Sequence, residues 1–201
     1  MGEIPGNSPL FASLEGAAQY HYDVVESLKR YFSPDSPDSL ARLDMYPEPR
    51  VAVRPADYLE ETGLRSSLAI LTWLEAVFQL DYQYRCRKRL KDDLSRAFRA
   101  ISGRKPENVS LEEDIFDAWS SCAPGARPLI GELRSAFKFR NWLAHGRYWT
   151  PRLGRNYNFE SLYLLADAVY SKLPLRGVAK PEAADTHGGK RKPRPESVDG
   201  K

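Results

Sequence analysis

The chain has 201 residues, 42% apolar, 11% aromatic and 28% charged, the balance of a soluble globular protein of one large domain or two small ones. That composition excludes a collagen, a disulfide scaffold and a wholly disordered chain. The formal charge of +3 is local: residues 176–201 carry seven Lys/Arg against four Asp/Glu, so residues 1–175 are neutral. A neutral domain is not a bulk phosphate binder, and any nucleic-acid contact has to come from local patches.

The elements in chain order are helical. Ser8-Pro9 reads as a helix start, with Phe11, Leu14, Ala18, His21, Val25, Leu28 and Phe32 recurring every three or four residues. His21 on that apolar face reads as a satisfied core histidine. Prolines at 34, 37, 47, 49 and 55 punctuate the segment up to about residue 56. A helix then starts near Pro55 and runs, with Gly63 as a candidate break, into the apolar block 64–84. Residues 86–102 are expected to continue it as a more charged helix ended by Gly103. The apolar block is interrupted by Thr72, Glu75 and Gln79, too polar and too short to span a bilayer.

Ser110-Leu-Glu-Glu113 has the form of a capping box opening a short helix to about Ser121. Pro128 begins a further helix with the stripe Leu129, Leu133, Phe137, Arg140 and Ala144, closed by Gly146. Asn158 is placed to cap a last helix built on Leu162, Leu165, Val169 and Leu173. No segment alternates with period two over a strand's length, and no internal repeat is visible. The expectation is an all-α, up-and-down bundle of five or six helices. Residues 1–54 are read as an N-terminal helix and proline-rich connection, 55–175 as the helical domain and 176–201 as a disordered basic tail. Cys86 and Cys122 lack a CxxC or His/Cys context, which points to reduced thiols, a cytoplasmic setting and no structural metal.

The chemistry is expected where the pattern breaks. Arg140 occupies a slot in an apolar stripe, and a buried arginine needs a carboxylate or a cleft. Asn141 and His145, four residues apart, share one side of the helix end, where the dipole favours a protonated imidazole. Between Glu132 and Glu160 there is no acidic residue, while Arg134, Lys138, Arg140, Arg147, Arg152 and Arg155 are interleaved with seven aromatics, among them Tyr148 and Trp149. Basic groups beside stacking rings suit single-stranded RNA, although the aromatics are equally placed to serve as bundle core. Glu75 lies with Thr72, Gln79 and Gln83 in a polar strip that either faces water or steadies Arg140. The run Arg85, Arg87, Lys88, Arg89, Lys91 is an exposed helix face or the rim of an RNA groove.

Phe139-Arg140-Asn141-Trp-Leu-Ala-His145-Gly146 resembles the Arg-Asn-x-x-x-His signature of the HEPN superfamily, over roughly residues 55–175. The resemblance implies a bundle of four or five helices that pairs as a homodimer and brings two copies of the motif into one cleft. It implies a metal-independent endoribonuclease without cofactor, of the kind found in toxin–antitoxin and antiviral defence systems, with Arg140 and His145 catalytic and Asn141 supporting them. Arg134, Lys138, Arg147, Tyr148 and Trp149 would contact RNA, and Glu75 would support Arg140. In some HEPN toxins a tyrosine two residues after the histidine is adenylylated by a nucleotidyltransferase antitoxin; Tyr148 comes three after. Two other readings remain open: a noncatalytic HEPN module that binds a nucleotide, an RNA or a partner protein, and a helical interaction protein in which Arg140 makes a structural ion pair.

Overall fold

The computed structural model describes residues 13–35, 37, 54–147, 149, 150 and 153–178. These form six α-helices and, among the described residues, no strand: α1 (Leu14–Tyr31), α2 (Pro55–Lys88), α3 (Asp93–Arg104), α4 (Asp117–Cys122), α5 (Arg127–Ala144) and α6 (Phe159–Lys172). The Ser8-Pro9 start and most of the basic tail lie outside the described residues.

The helix ends follow local chemistry. The Ser13 side chain accepts from the Gly16 N–H at 2.9 Å, Asp92 accepts from Ser95 at 3.0 Å, and Asn158 accepts from Ser161 at 2.9 Å, each satisfying a backbone donor that the first turn leaves free. Ser110 also caps, accepting from Glu113 at 3.2 Å, but the reciprocal carboxylate is that of Asp114, which accepts from the Ser110 N–H at 2.9 Å. The turn it opens, Leu111–Phe116, is π-helical before the chain tightens into α4. Pro128 stands in the first turn of α5, where a missing N–H costs nothing.

The long helix departs from expectation in two ways. It runs unbroken through Gly63, where the Ser67 hydroxyl donates to the Gly63 carbonyl at 2.8 Å. It stops instead at Arg89, which takes a left-handed φ of 49°, and Asp92 opens α3 as a separate helix. Residues 86–102 are therefore not one continuing helix.

The α2 helix is the central strut, touching α1, α3, α5, α6 and the π-helical turn. Ile70, Leu71, Leu74 and Phe78 of α2 are fully buried against Phe98, Ile115, Phe116, Trp119, Ile130, Leu133 and Leu162. Leu14, Ala17 and Ala18 of α1 join the same core. On α5 the buried stripe is Ile130, Leu133, Ala136, Phe137 and Phe139, with Leu129 only half-buried. On α6 it includes Leu162, Leu165 and Val169, with Leu173 buried just beyond, as the spacing predicts. His21 is buried in the α1 contact, its Nδ1 2.9 Å from the Ser66 hydroxyl and its ring stacked 3.7 Å from Phe159.

Arg85 corrects the reading of the basic run. It is not on an exposed face: its side chain is 5% accessible. Its Nε donates to both Asp81 carboxylate oxygens at 2.8 and 3.0 Å, its Nη1 to Asp92 at 3.1 Å, and its Nη2 to the Pro174 carbonyl at 2.6 Å. The Arg176 N–H adds a donor to Asp81 at 2.7 Å. This network ties α2, the start of α3 and the chain beyond α6 together. Cys86 and Cys122 are both free thiols, and no helix among the described residues is long and apolar enough to cross a membrane.

Candidate functional site

The arginine that interrupts the α5 stripe meets the glutamate that interrupts the α2 apolar block. Arg140 Nη2 donates to Glu75 Oε2 at 3.0 Å, and Nη1 lies 3.4 Å from Asn141 Oδ1. Both charged side chains are about one-third exposed, at 30% and 35%, while Arg140 Nε is buried without a partner among the described residues. The pair therefore sits at a wall, with its inner edge packed and its outer edge wet.

That wall belongs to a cleft of about 380 Å³ lined by Glu75, Arg134, Phe137, Arg140, Asn141 and the π-helical turn with Glu112 and Glu113. Positions 134, 137 and 141 share one face of α5 because they are three and four residues apart. Three carboxylates and two guanidinium groups line the space, so the cleft is not a simple cationic pocket. Arg134 is also committed, donating to Asp117 at 2.6 Å.

His145 stands at the end of α5, exposed, with its N–H bonded to the Asn141 carbonyl at 3.1 Å. Helical spacing of 100° per residue puts it about 40° from Asn141 but about 140° from Arg140, roughly 7.5 Å further along the axis. Asn141 thus shares the cleft with Arg140 and a helix face with His145. Within one chain, Arg140 and His145 do not converge on one point.

The chain turns sharply after His145, with φ of 85° at Gly146 and 57° at Arg147. The turn is pinned by Trp142 Nε1, which donates to the Trp149 carbonyl at 2.7 Å. Arg147 reaches α2, where its guanidinium donates to Glu61 at 2.6 and 3.2 Å. The contacts Arg140–Glu75 and Arg147–Glu61 run in opposite chain directions, so α2 and α5 are antiparallel along this seam. The Arg147 guanidinium holds the Glu61 carboxyl below its usual value.

The segment that is acid-free in sequence is neutralised in space. Arg134 pairs with Asp117, Arg140 with Glu75, Arg147 with Glu61, and Arg155 with Glu132 at 2.9 Å. Lys138 is exposed and has no carboxylate partner among the described residues. Tyr148 and Arg152 lie outside the described residues. Of the interleaved aromatics, Phe137, Phe139, Tyr157 and Phe159 are buried in the core. Trp149 is 40% exposed, and Trp142 is half-buried with its ring stacked 5.7 Å from Phe139.

Sequence reasoning did not find Glu61, Asp117, Glu112 or Glu113. Glu113 is marked only as the expected partner of a helix cap and nothing local marks the others; they reach the site across 86, 17 and about 20–30 residues of chain through packing alone. No protein-family model, curated protein or solved structure matches the chain.

Proposed function

We propose that the protein is a metal-independent endoribonuclease of the HEPN type, with Arg140, Asn141 and His145 at its centre. The supporting observation is the cleft wall: Arg140 is steadied by Glu75, Asn141 lies beside it, and an exposed His145 follows one turn on. An arginine fork can hold phosphate oxygens and the negative charge that grows on them. An imidazole, with an ordinary pKa of about 6.5, can move protons at neutral pH.

The reaction is a transesterification. The 2′-OH gives its proton to a base, its oxygen attacks the adjacent phosphorus, and the bond to the 5′ oxygen breaks. That oxygen takes up a proton, leaving a 2′,3′-cyclic phosphate and a 5′-OH. His145 serves as the proton carrier, Arg140 as the phosphate ligand, and Asn141 orients the imidazole or the 2′-OH. Arg140 and His145 of one chain diverge by about 140° on the helix, so a second copy is proposed to complete the site with its own histidine. Two histidines also divide the roles of base and acid. An antitoxin or nucleotidyltransferase partner is part of the same reading.

A noncatalytic binding role is the second reading, favoured by the three carboxylates in the cleft and by the pairing of every described arginine between 134 and 155. Single-stranded RNA incubated with the protein in EDTA separates the two. Cleavage with cyclic-phosphate ends is expected, falling by about 10²–10⁴-fold in His145→Ala and lost in Arg140→Ala. RNA binding without cleavage supports the second reading, and cleavage that survives His145→Ala unchanged overturns the first.

A further inference from the structure

The cleft leaves a shortage of unneutralised positive charge, because the described arginines around it are each held by a carboxylate. A polyanion is attracted by cations whose charge is not already spent on a neighbour. Such cations are concentrated at the other end of α2. Arg87, Lys88, Arg89 and Lys91 fall within five positions, all are exposed, and none pairs with a carboxylate among the described residues. The left-handed turn at Arg89 gathers them at one corner instead of distributing them around a continuing helix.

The two acids at this corner are already engaged. Asp92 caps α3 and accepts from Arg85, and Asp93 pairs with Arg96. Arg96 and Arg99 in turn donate to the Lys91 and Leu90 carbonyls, which stiffens the turn. Lys91 also borders a groove of about 670 Å³ shared with Tyr84, Leu90, Asp93 and Arg176. The chain past α6 is anchored here, through Pro174 and Arg176 on Arg85 and Asp81. The sequence that follows carries Lys190, Arg191, Lys192 and Arg194.

We propose that the α2–α3 corner, with Arg87, Lys88, Arg89 and Lys91, is a second RNA-backbone contact that holds a strand whose reactive phosphate lies in the Arg140 cleft. The proposal rests on the RNA-directed reading given above. Thirteen residues of helix separate Glu75 from Lys88, about 20 Å along the axis and about 140° around it. At about 3.4 Å per phosphate in a stacked strand, the axial distance alone takes roughly six nucleotides, and the path around α2 adds to it. Length dependence is therefore the signature of this contact.

The test uses the full chain and fluorescent single-stranded oligonucleotides of about 20 and about four nucleotides, titrated between about 50 and 200 mM salt. The variant carries Arg87→Gln, Lys88→Gln and Lys91→Gln, all exposed and outside the proposed catalytic set. Each phosphate contact on a single strand contributes about 0.7 to the salt slope, so losing two or three lowers it by about 1.4–2.1. At about 0.1 M salt that is roughly a 25- to 100-fold loss in affinity for the long oligonucleotide, with the short one bound and cleaved as by the parent. Equal affinity and equal slope in parent and variant overturn the proposal, as does a parent that ignores the long oligonucleotide and binds phosphatidylserine vesicles. Patch-dependent binding with no cleavage by the parent keeps this contact and removes the catalytic reading. Cleavage with patch-independent binding does the reverse.

Discussion

Two arginines of this fold make carboxylate pairs of similar length, and replacing each by alanine should have very different consequences. Arg140–Glu75 measures 3.0 Å with side chains 30% and 35% exposed, whereas Arg85–Asp81 measures 2.8 Å with side chains 5% and 0% exposed. Water still reaches Glu75 when Arg140 is removed, so Arg140→Ala is expected to cost about 1 kcal/mol or less, as exposed pairs do. The unpartnered Nε disappears with it, which offsets part of the lost stem packing. Arg85→Ala instead strands a fully buried carboxylate that, among the described residues, keeps only the Arg176 N–H as a donor. That is expected to cost about 3–5 kcal/mol, a large share of the roughly 5–15 kcal/mol that holds a domain folded. Urea denaturation with linear extrapolation, run on both variants and the parent at one salt concentration, measures the contrast. If Arg140→Ala lost about 3 kcal/mol or more, Arg140 would be a structural residue first and its place as a phosphate ligand would fall. If Arg85→Ala lost less than about 1 kcal/mol, burial would be the wrong guide to which pair carries the fold.

Burial lowers the His21 pKa below its usual 6.5, with Glu160 opposing the shift. The unfolded chain then takes up this proton first, so the contribution is complete above about pH 6.5 and declines as pH falls below it. Glu61 and Asp114, whose carboxyls are held low by Arg147 and by the Ser110 N–H, act only below about pH 4.5. From pH 7.5 to 5 the parent should lose stability relative to His21→Phe, since Asp81, whose carboxyl is pushed up by burial, works in the opposite direction in both proteins; equal slopes in the two refute the argument. At Gly146, where φ is 85° and an added Cβ would meet nothing within 4 Å, Gly146→Ala should cost about 1–2 kcal/mol from backbone strain alone. Gly146→Asn should recover much of it, because asparagine tolerates the left-handed region, and a neutral Gly146→Ala melt would show that the turn relaxes elsewhere.

The helices at the two ends of the motif were legible in the chain because their signals are local. Pro128 and Gly146 bracket α5, and the Asn158 cap with the spacing 162, 165, 169, 173 predicts α6. Each such signal involves residues within about four positions of one another. The stop at Arg89 was not legible, since a non-glycine residue holds the left-handed turn and the buried network of Arg85 with Asp81, Asp92 and Pro174 fixes the chain on both sides of it. Gly63 carried a breaker's signal, worth about 1 kcal/mol against a helix, and the packing of the long apolar face of α2 exceeded it.

Charge separates the two kinds of information most clearly. The sequence alone determined which residues interrupt the apolar patterns, and Glu75, Arg140, Asn141 and His145 could be singled out from spacing and side-chain type. Whether the segment 133–159 is cationic was decided only in three dimensions. Arg134, Arg140, Arg147 and Arg155 find carboxylates 17, 65, 86 and 23 residues away. Electrostatic neutralisation acts over a few ångströms of space regardless of chain separation, so only the packing of α2 and α4 against α5, and of the loop before α6 back onto α5, could determine where positive charge remains free.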